Sequence, residues 1–317
     1  MVGLVLQMSG AIMFWNLENY FDPFDDPLTV DEDFTPVGKK RWSWRLFVQK
    51  RNGISKTILA AADVCSGGEP PEIIGFAEVE NYMVLRQMVN ETPLSKLDYG
   101  IVHRSSPDRR GIDVALIFRK SKVRILAVDS LRVECGSPTR DILYVKCVRQ
   151  GASAPSSSGD TLHLFVNHWP SKRGGASGSS VRRRAAADVL DGAIDSVLSI
   201  SPSANVIVMG DFNDTPDNVA PLLGASAESV PVTAPEGIGG TIKYRGEWEQ
   251  IDQFYTANAS DSLRMLIFAP EFLLEKDEQF TGVRPRRTYL GPSWHGGLSD
   301  HLPILLLKNN LVKFMTF

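Results

Sequence analysis

Six places along this chain put a hydrogen-bonding or ionisable residue at the edge of an apolar run. They are Asn16 after AIMFW, Glu78 after IIGFA, Asn167-His168 closing LHLFVNH, Asp211 and Asn213 in VIVMGDFNDTP, Asp252 in EWEQIDQFY, and Asp300-His301 in GLSDHLP. Polar groups gathered at several strand ends are the usual layout of an active site on an α/β scaffold. Any one of them could be turn chemistry, since Asp, Asn and Gly all favour turns; six separate places are hard to assign to it. The residue types narrow the chemistry. Glu78, Asp300 and Asn16 are hard oxygen donors suited to Mg²⁺ or Mn²⁺, with Ca²⁺ a further choice. No paired Cys/His spacing supports a structural zinc. His168, His301 and the spare carboxylates suit proton transfer and stabilisation of an anionic transition state. A metal, anion donors and a base together describe water attack on a phosphate ester.

The elements that must position these residues alternate between helix and strand in part of the chain and run as consecutive strands elsewhere. That pattern predicts one α/β domain, 1–317, of mixed sheets with helices on the outer faces. Ala11–Asn16, Ile73–Ala77, Ile112–Arg119, Lys122–Val133, Ile142–Val148, Leu162–His168, Val206–Met209, Ile251–Thr256, Leu263–Phe268 and Leu302–Leu307 read as strands. In VIVMGDFNDTP, Gly210 reads as the residue that ends the strand, and alternation aims Asp211 and Asn213 one way and Phe212 the other. Apolar residues recur helically from Ser43, a plausible N-cap, to Cys65, with Gly53 a weak point. Val84–Val89 reads as a short helix. A helix over Val181–Ile200 has its stripe at Ala185, Val189, Ala193 and Val197. Its start at Arg182–Arg184 is disfavoured by the helix dipole, which suggests a role for those cations outside the helix. Gly151–Asp160 is a low-complexity surface loop, Lys172–Ser180 a flexible Gly/Ser stretch, and Phe280–Gly297 an irregular loop.

Composition excludes little and permits much. The chain is 317 residues long, 43% hydrophobic and 22% charged, which suits an ordinary soluble core. A net charge of −3 gives no global attraction to polyanions. Basic residues are local: Arg104, Arg109 and Arg110; Lys172 and Arg173; Arg182–Arg184; and Arg284, Arg286 and Arg287. Cys65, Cys135 and Cys147 are too few for a disulfide scaffold and read as small core residues. Six carboxylates between Asp22 and Asp33 read as a solvated acidic loop, because their spacing does not fit an EF-hand. No stretch approaches the roughly 20 apolar residues of a membrane span. Met1–Ala11 lacks the basic start of a signal peptide, and the compartment stays open between cytoplasm and export. No obligate protein partner is evident.

The segments MFWNLEN, IIGFAEVEN, NHWPSKRGG, VMGDFNDTP, EWEQIDQFY and GLSDHLP resemble, in order, the motifs of the endonuclease/exonuclease/phosphatase superfamily. That is the group of deoxyribonuclease I, exonuclease III and the inositol polyphosphate 5-phosphatases. GDFN followed by SDH, with an upstream strand glutamate, is a highly specific combination. The resemblance implies a four-layer α/β sandwich, two packed mixed β-sheets flanked by helices, with the site at one edge. It implies that Glu78 is the principal metal ligand, with Asn16 and Asp300 flanking the metal. Asp211 then orients or deprotonates the attacking water, and Asn213 helps hold the phosphate. His301 sits on the scissile phosphate with Asp252 fixing its tautomer, and His168 is the second histidine. Arg110, Asn167, Lys172, Arg173, Arg287 and Trp294 are expected to line the substrate. Glu18 stands where some members carry Asp. Asp113 is expected either to pair with His168 or to be structural, and His103, His163 and His295 to pack or sit in loops, His295 close enough to line the pocket.

Three functions fit this reading. One is a Mg²⁺-dependent nuclease or phosphodiesterase, endo- or exo-acting on DNA or RNA; NHWPSKRGG is similar to a loop of secreted bacterial nucleases. Another is a phosphomonoesterase, or a phosphodiesterase of lipid headgroups or inositol phosphates. The acidic loop, if it lies at the rim, would repel long DNA and favours this alternative. The third is a phosphate-ligand binding protein without catalysis, which the intact Glu78, Asp211, Asn213 and His301 argue against.

Overall fold

Two sheets, each with a parallel pair of strands at its centre, carry the polar strand ends to one rim. The computed structural model describes residues 10–150, 161–172, 176–224, 226–258 and 263–308. Seven strands of the first sheet lie in the order Val232–Thr233, Leu263–Ile267, Ile304–Lys308, Ile12–Tyr20, Ile73–Val79, Asp113–Arg119 and Tyr99–His103. Six strands of the second lie in the order Val123–Leu131, Ile142–Arg149, Thr161–His168, Asn205–Asp211, Asp252–Ala257 and Glu228–Ser229. Ile12–Tyr20 runs parallel to Ile73–Val79, and Thr161–His168 parallel to Asn205–Asp211. Glu78, His168 and Asp211 lie at the C-terminal ends of their strands, and Asn16 at the middle of Ile12–Tyr20, where its register with Ile73–Val79 shifts.

The central strands are continuous apolar runs because both of their faces are covered. Their inner faces meet closely: a Cβ added to Gly75 would lie 2.7 Å from Met209 Sδ and 3.3 Å from Val166 Cγ1. The helices Trp44–Ala60 and Tyr82–Asn90 join this core through Phe47, Ile54, Ile58, Val84, Leu85 and Met88. The helix Ala176–Ile200 closes a second core, packing Ala186, Ala187, Leu190 and Ile194 with Phe165, Val208, Phe212 and Tyr255. The result is the expected helix–sheet–sheet–helix sandwich. Ser43 caps the first helix by accepting from Leu46 N at 3.5 Å, and Asn81 caps the second by accepting from Val84 N at 3.1 Å. Gly53 leaves room for a neighbour: a Cβ there would lie 2.3 Å from Leu298 Cδ2 and would displace that side chain.

Several expectations need correction. The last long helix begins at Ala176, not Val181, so Arg182–Arg184 fall in its second and third turns, away from the dipole penalty at its start. Arg183 is buried with Nη2 2.8 Å from Asp214 Oδ2, and Arg184 pairs with Asp188 one turn on at 2.9 Å. The deepest stripe is shifted by about one residue from the expected set, because the large Leu190 and Ile194 take the innermost places. The stretch Lys172–Ser180 is helical from Ala176; the loop 151–160 and Arg173 lie outside the described residues. Within the supposedly irregular Phe280–Gly297, Val283–Pro285 pairs with Leu274–Lys276 and Tyr289–Leu290 with Ser293–Trp294.

The acidic loop is partly folded inward instead of fully solvated. Asp22 and Asp31 are buried, Asp22 N donates to Glu80 Oε2 at 2.5 Å, and Asn81 Nδ2 donates to Asp22 Oδ2 at 2.9 Å. Burial, reinforced by Asp22, pushes the Glu80 carboxyl up to about 9, so it is neutral at pH 7 and does not repel its neighbours. All three cysteines are free thiols. Among the described residues no helix is long and apolar enough to cross a membrane.

Candidate active site

In the second sheet, register does the positioning. His168, Asp211 and Asp252 are direct Cα partners across three adjacent strands. The strand runs on through Asp211, so Gly210 does not end it. Its role is proximity: a Cβ at Gly210 would lie 2.5 Å from the Asn167 carbonyl oxygen. Beyond Asp211 the chain turns, and Asn213 takes a left-handed φ of 53°. Strand alternation is thus not what aligns Asn213 with Asp211. Asn213 N donates to Asp211 Oδ1 at 2.9 Å, and Asn213 Nδ2 to the Trp169 carbonyl at 2.9 Å. Phe212 does turn inward, edge-on to Trp169 and Tyr255.

In the first sheet, backbone strain does the positioning. Glu18, Asn19 and Glu78 all have positive φ, at 47°, 57° and 60°, beside irregularities in strand register. Such conformations are costly outside glycine and concentrate at functional sites. The turned backbone lets Asn19 N donate to Glu78 Oε2 at 2.8 Å. Asn16 ties the two sheets together: its Nδ2 donates to Asp211 Oδ2 at 2.9 Å while its Oδ1 accepts from Glu18 N at 2.9 Å. Glu18 is buried; its Oε2 accepts from Thr288 N at 2.6 Å, and its Oε1 lies 3.4 Å from Arg287 Nε. Arg287 Nη2 also holds Asp300 Oδ2 at 2.5 Å. Beneath them Lys50 is wholly buried and donates to the Glu18 carbonyl at 2.6 Å and Thr288 Oγ1 at 2.8 Å.

The histidines have opposite charge states. Burial alone would lower the pKa of His301. Asp252, bonded to Nδ1 at 2.8 Å, with Asp211 and Asp300 nearby, overcomes that and holds it well above the usual value. Burial, with Arg140, Arg110 and His301 around it, drives His168 well below the usual value. Its Nδ1 has no hydrogen-bond partner, so the proton belongs on Nε2, 3.6 Å from Asp211 Oδ2 and 3.9 Å from Glu78 Oε1. Burial raises Asp211 to about 7 even though His301 pulls the other way. A base that titrates near neutrality beside a protonated imidazolium, 3.9 Å apart, is the acid/base pairing that hydrolysis needs.

The donor set also fits a hard divalent cation. Glu78, Asp300 and Asn16 supply oxygens only, and among the described residues Glu78 Oε1 has no charged contact closer than 3.9 Å. Glu18 and Asp300 repel each other enough that, after burial, this is the main reason the Glu18 carboxyl rises to about 7. Asp211, Asp252 and His301 offer ligand atoms all within 4.8 Å of one another. There, however, His301 Nδ1 already lies 2.8 Å from Asp252 Oδ2, so two of the three are joined by a hydrogen bond of their own. Asp252 Oδ1 stays buried without a partner.

Other expected residues divide. Arg110 reaches the site, with Nη1 3.9 Å from Glu78 Oε1, and Lys172 lies at its edge, 3.5 Å from Asp214 Oδ1 and 3.1 Å from Glu249 Oε2. Asn167 is a correction: it is fully buried, its amide donating to the Phe165 and Met209 carbonyls and its oxygen accepting from Trp169 Nε1, so it cannot reach substrate. Trp294 is half-buried against Trp42 and Tyr289. Asp113 takes the structural option, pairing with His103 Nε2 at 2.9 Å and not with His168. His295 pairs with Glu275, and His163 with the Tyr144 hydroxyl at 2.8 Å.

Two supports were not anticipated. Lys50 had a signal, being a charge on the apolar stripe between Phe47 and Ile54. Arg140 had none. Buried, it donates to the His168 carbonyl at 3.2 Å, the Trp169 carbonyl at 2.7 Å and Asp108 Oδ2 at 3.0 Å, so it fixes the end of the strand that bears His168.

The model of the Endonuclease/Exonuclease/phosphatase family matches residues 11–309. Solved structures similar to the chain include truncated TDP2 from Caenorhabditis elegans, 15% identical with a TM-score of 0.60, covering 94% of this chain and 96% of that one. Another is D. rerio TDP2 complexed with a single-strand DNA product, 15% identical with a TM-score of 0.56, covering 95% and 98%. A third is an endonuclease/exonuclease/phosphatase family protein from Bacteroides thetaiotaomicron, 13% identical with a TM-score of 0.56, covering 93% and 96%. At these identities the likeness speaks for the fold. No curated protein matches the sequence significantly.

Proposed function

The chain belongs to the Endonuclease/Exonuclease/phosphatase family, and from that premise we propose that it is a Mg²⁺- or Mn²⁺-dependent phosphodiesterase whose substrate class is nucleic acid. The observation that carries the reading is the His301–Asp252 pair at 2.8 Å beside Asp211, an acid and a base held apart in charge. In this reading Asp211 accepts the proton of the attacking water, steadied by Asn16 on one oxygen and the Asn213 amide on the other. The His301 imidazolium bonds the phosphoryl oxygens as charge develops on them. Asp252 keeps the Nδ1 proton in place, so Nε2–H faces the substrate. Neutral His168 adds an uncharged donor on the other flank of Asp211, and Arg110 draws in the anion. A divalent cation held by Glu78, Asp300 and Asn16 would supply Lewis-acid stabilisation of the phosphate.

Nucleic acid is favoured over other esters by the DNA product in the D. rerio structure and by Arg110, Lys172 and Arg287 around the site. The test is purified protein with Mg²⁺, Mn²⁺ or EDTA against plasmid DNA, RNA, bis-p-nitrophenyl phosphate and inositol phosphates. Metal-dependent nicking or shortening of nucleic acid is the expected result. Release of inorganic phosphate from inositol phosphates without nicking would shift the assignment to a monoesterase, and no turnover of any substrate would sink it.

A further inference from the structure

Beside the site lies a cavity of about 280 Å³ lined by Asp108, Arg110, Thr139, Arg140, Ser171 and Arg182, among others. We propose that this cavity is a second anion subsite, which takes a phosphate of the substrate other than the one cleaved. The proposal rests on the diesterase reading only in assuming that the first phosphate binds at Asp211 and His301.

Size is the first argument. At about 280 Å³ the cavity has room for an oxyanion together with several waters. Charge is the second. Three guanidinium groups, Arg110, Arg140 and Arg182, line the cavity together with one carboxylate, Asp108. Asp108 serves two of them, holding Arg140 Nη1 at 3.0 Å and lying 3.5 Å from Arg110 Nε. Arg140 uses three of its five N–H groups on Asp108 and the two carbonyls, so two donors remain. Arg110 has only long contacts to carboxylates, at 3.5 and 3.9 Å, and its side chain is 41% exposed. Donors are the third argument. Thr139 is buried, and its hydroxyl has no hydrogen-bond partner among the described residues. Buried hydroxyls rarely go unpaired, and a phosphate oxygen would satisfy this one.

Continuity ties the cavity to the chemistry. Arg110 lies between Asp108 and Glu78, and Arg140 holds the backbone of His168 and Trp169. An anion settled here would brace both Glu78, through Arg110, and His168, through Arg140. The shared chemistry is a phosphate group linked to the scissile one. It could belong to the next nucleotide of a strand or to a further phosphate of a polyphosphorylated headgroup.

The deciding experiment reads binding without turnover. A fluorescein-labelled single-stranded oligonucleotide is titrated in EDTA by anisotropy across a salt series, and inositol hexakisphosphate is tested as a second probe. Arg182→Ala should weaken binding of whichever probe is the true ligand by about tenfold and reduce the log–log salt slope by about one for the strand. Ser171→Asp, which adds a carboxylate to the cavity without removing a packed side chain, should weaken the same probe at least as much. It keeps the test valid if Arg182→Ala fails to fold. A strand-only effect assigns the subsite to nucleic acid, and a headgroup-only effect to inositol phosphates. Unchanged affinity for both probes in folded Ser171→Asp would overturn the proposal. Turnover of bis-p-nitrophenyl phosphate, which carries one phosphate, is measured separately and judges the diesterase reading alone.

Discussion

Asp211→Asn should make this protein less active and, above neutral pH, more stable. Asp211 is buried, and burial raises its pKa from 3.8 to about 7. A carboxyl raised in the folded state costs no stability below 3.8, costs progressively more as pH rises towards 7, and costs its full amount above 7. Each pH unit in that interval is worth roughly 1.4 kcal/mol. The ionised group therefore costs about 4 kcal/mol at pH 8.5 and about 1–2 kcal/mol at pH 5. Asparagine removes this cost but has only one acceptor oxygen for two donors, Asn16 Nδ2 and Asn213 N. Leaving one donor unmatched costs about 1–3 kcal/mol at either pH. The variant should thus gain about 1–3 kcal/mol at pH 8.5 and gain little or lose at pH 5. The pH-dependent part is the cleaner quantity: the stability difference from the wild type should change by about 3 kcal/mol between the two pH values. Urea unfolding followed by circular dichroism at pH 5 and 8.5 measures it. A difference that stays constant within about 0.5 kcal/mol, or that moves the other way, would refute the claim that Asp211 is a strained buried charge.

Four further outcomes follow from the same geometry. The pH profile of kcat/KM should rise through about 7 as Asp211 loses its proton and fall only well above 6.5 as His301 loses its own; a profile already flat at pH 5 would contradict the base assignment. Asp252→Asn should move the descending limb to lower pH, because Asp252 is the main group holding His301 protonated; an unmoved limb would remove it from that role. His301→Ala should lower kcat by about 10²-fold or more with an unchanged circular dichroism spectrum, and an unaffected rate would break the site assignment. Gly210→Ala should cost about 1–3 kcal/mol in urea unfolding, since its Cβ would meet the Asn167 carbonyl at 2.5 Å; a neutral result would mean the strands can part without loss.

The sequence alone determined the fold class and the chemical inventory. Strands buried on both faces leave unbroken apolar runs, so their ends stand out, and Glu78, Asp211, Asp252 and His301 could be picked from the edges of those runs. What the tertiary structure decided lies in register and backbone conformation, neither of which is a local property of composition. That His168, Asp211 and Asp252 stand side by side follows from which strands pair and at what offset. That Glu78 meets the Asn19 amide and that the Asn213 amide meets Asp211 goes with left-handed φ values at non-glycine residues, which propensity argues against. Asn167 looked functional because it neighbours His168, yet alternation turns successive residues to opposite faces and sends its amide into the core. Arg140 gave no local sign because it reads as one more charge in a loop. Only the approach of two carbonyls and Asp108 from distant parts of the chain makes it the support of the second histidine.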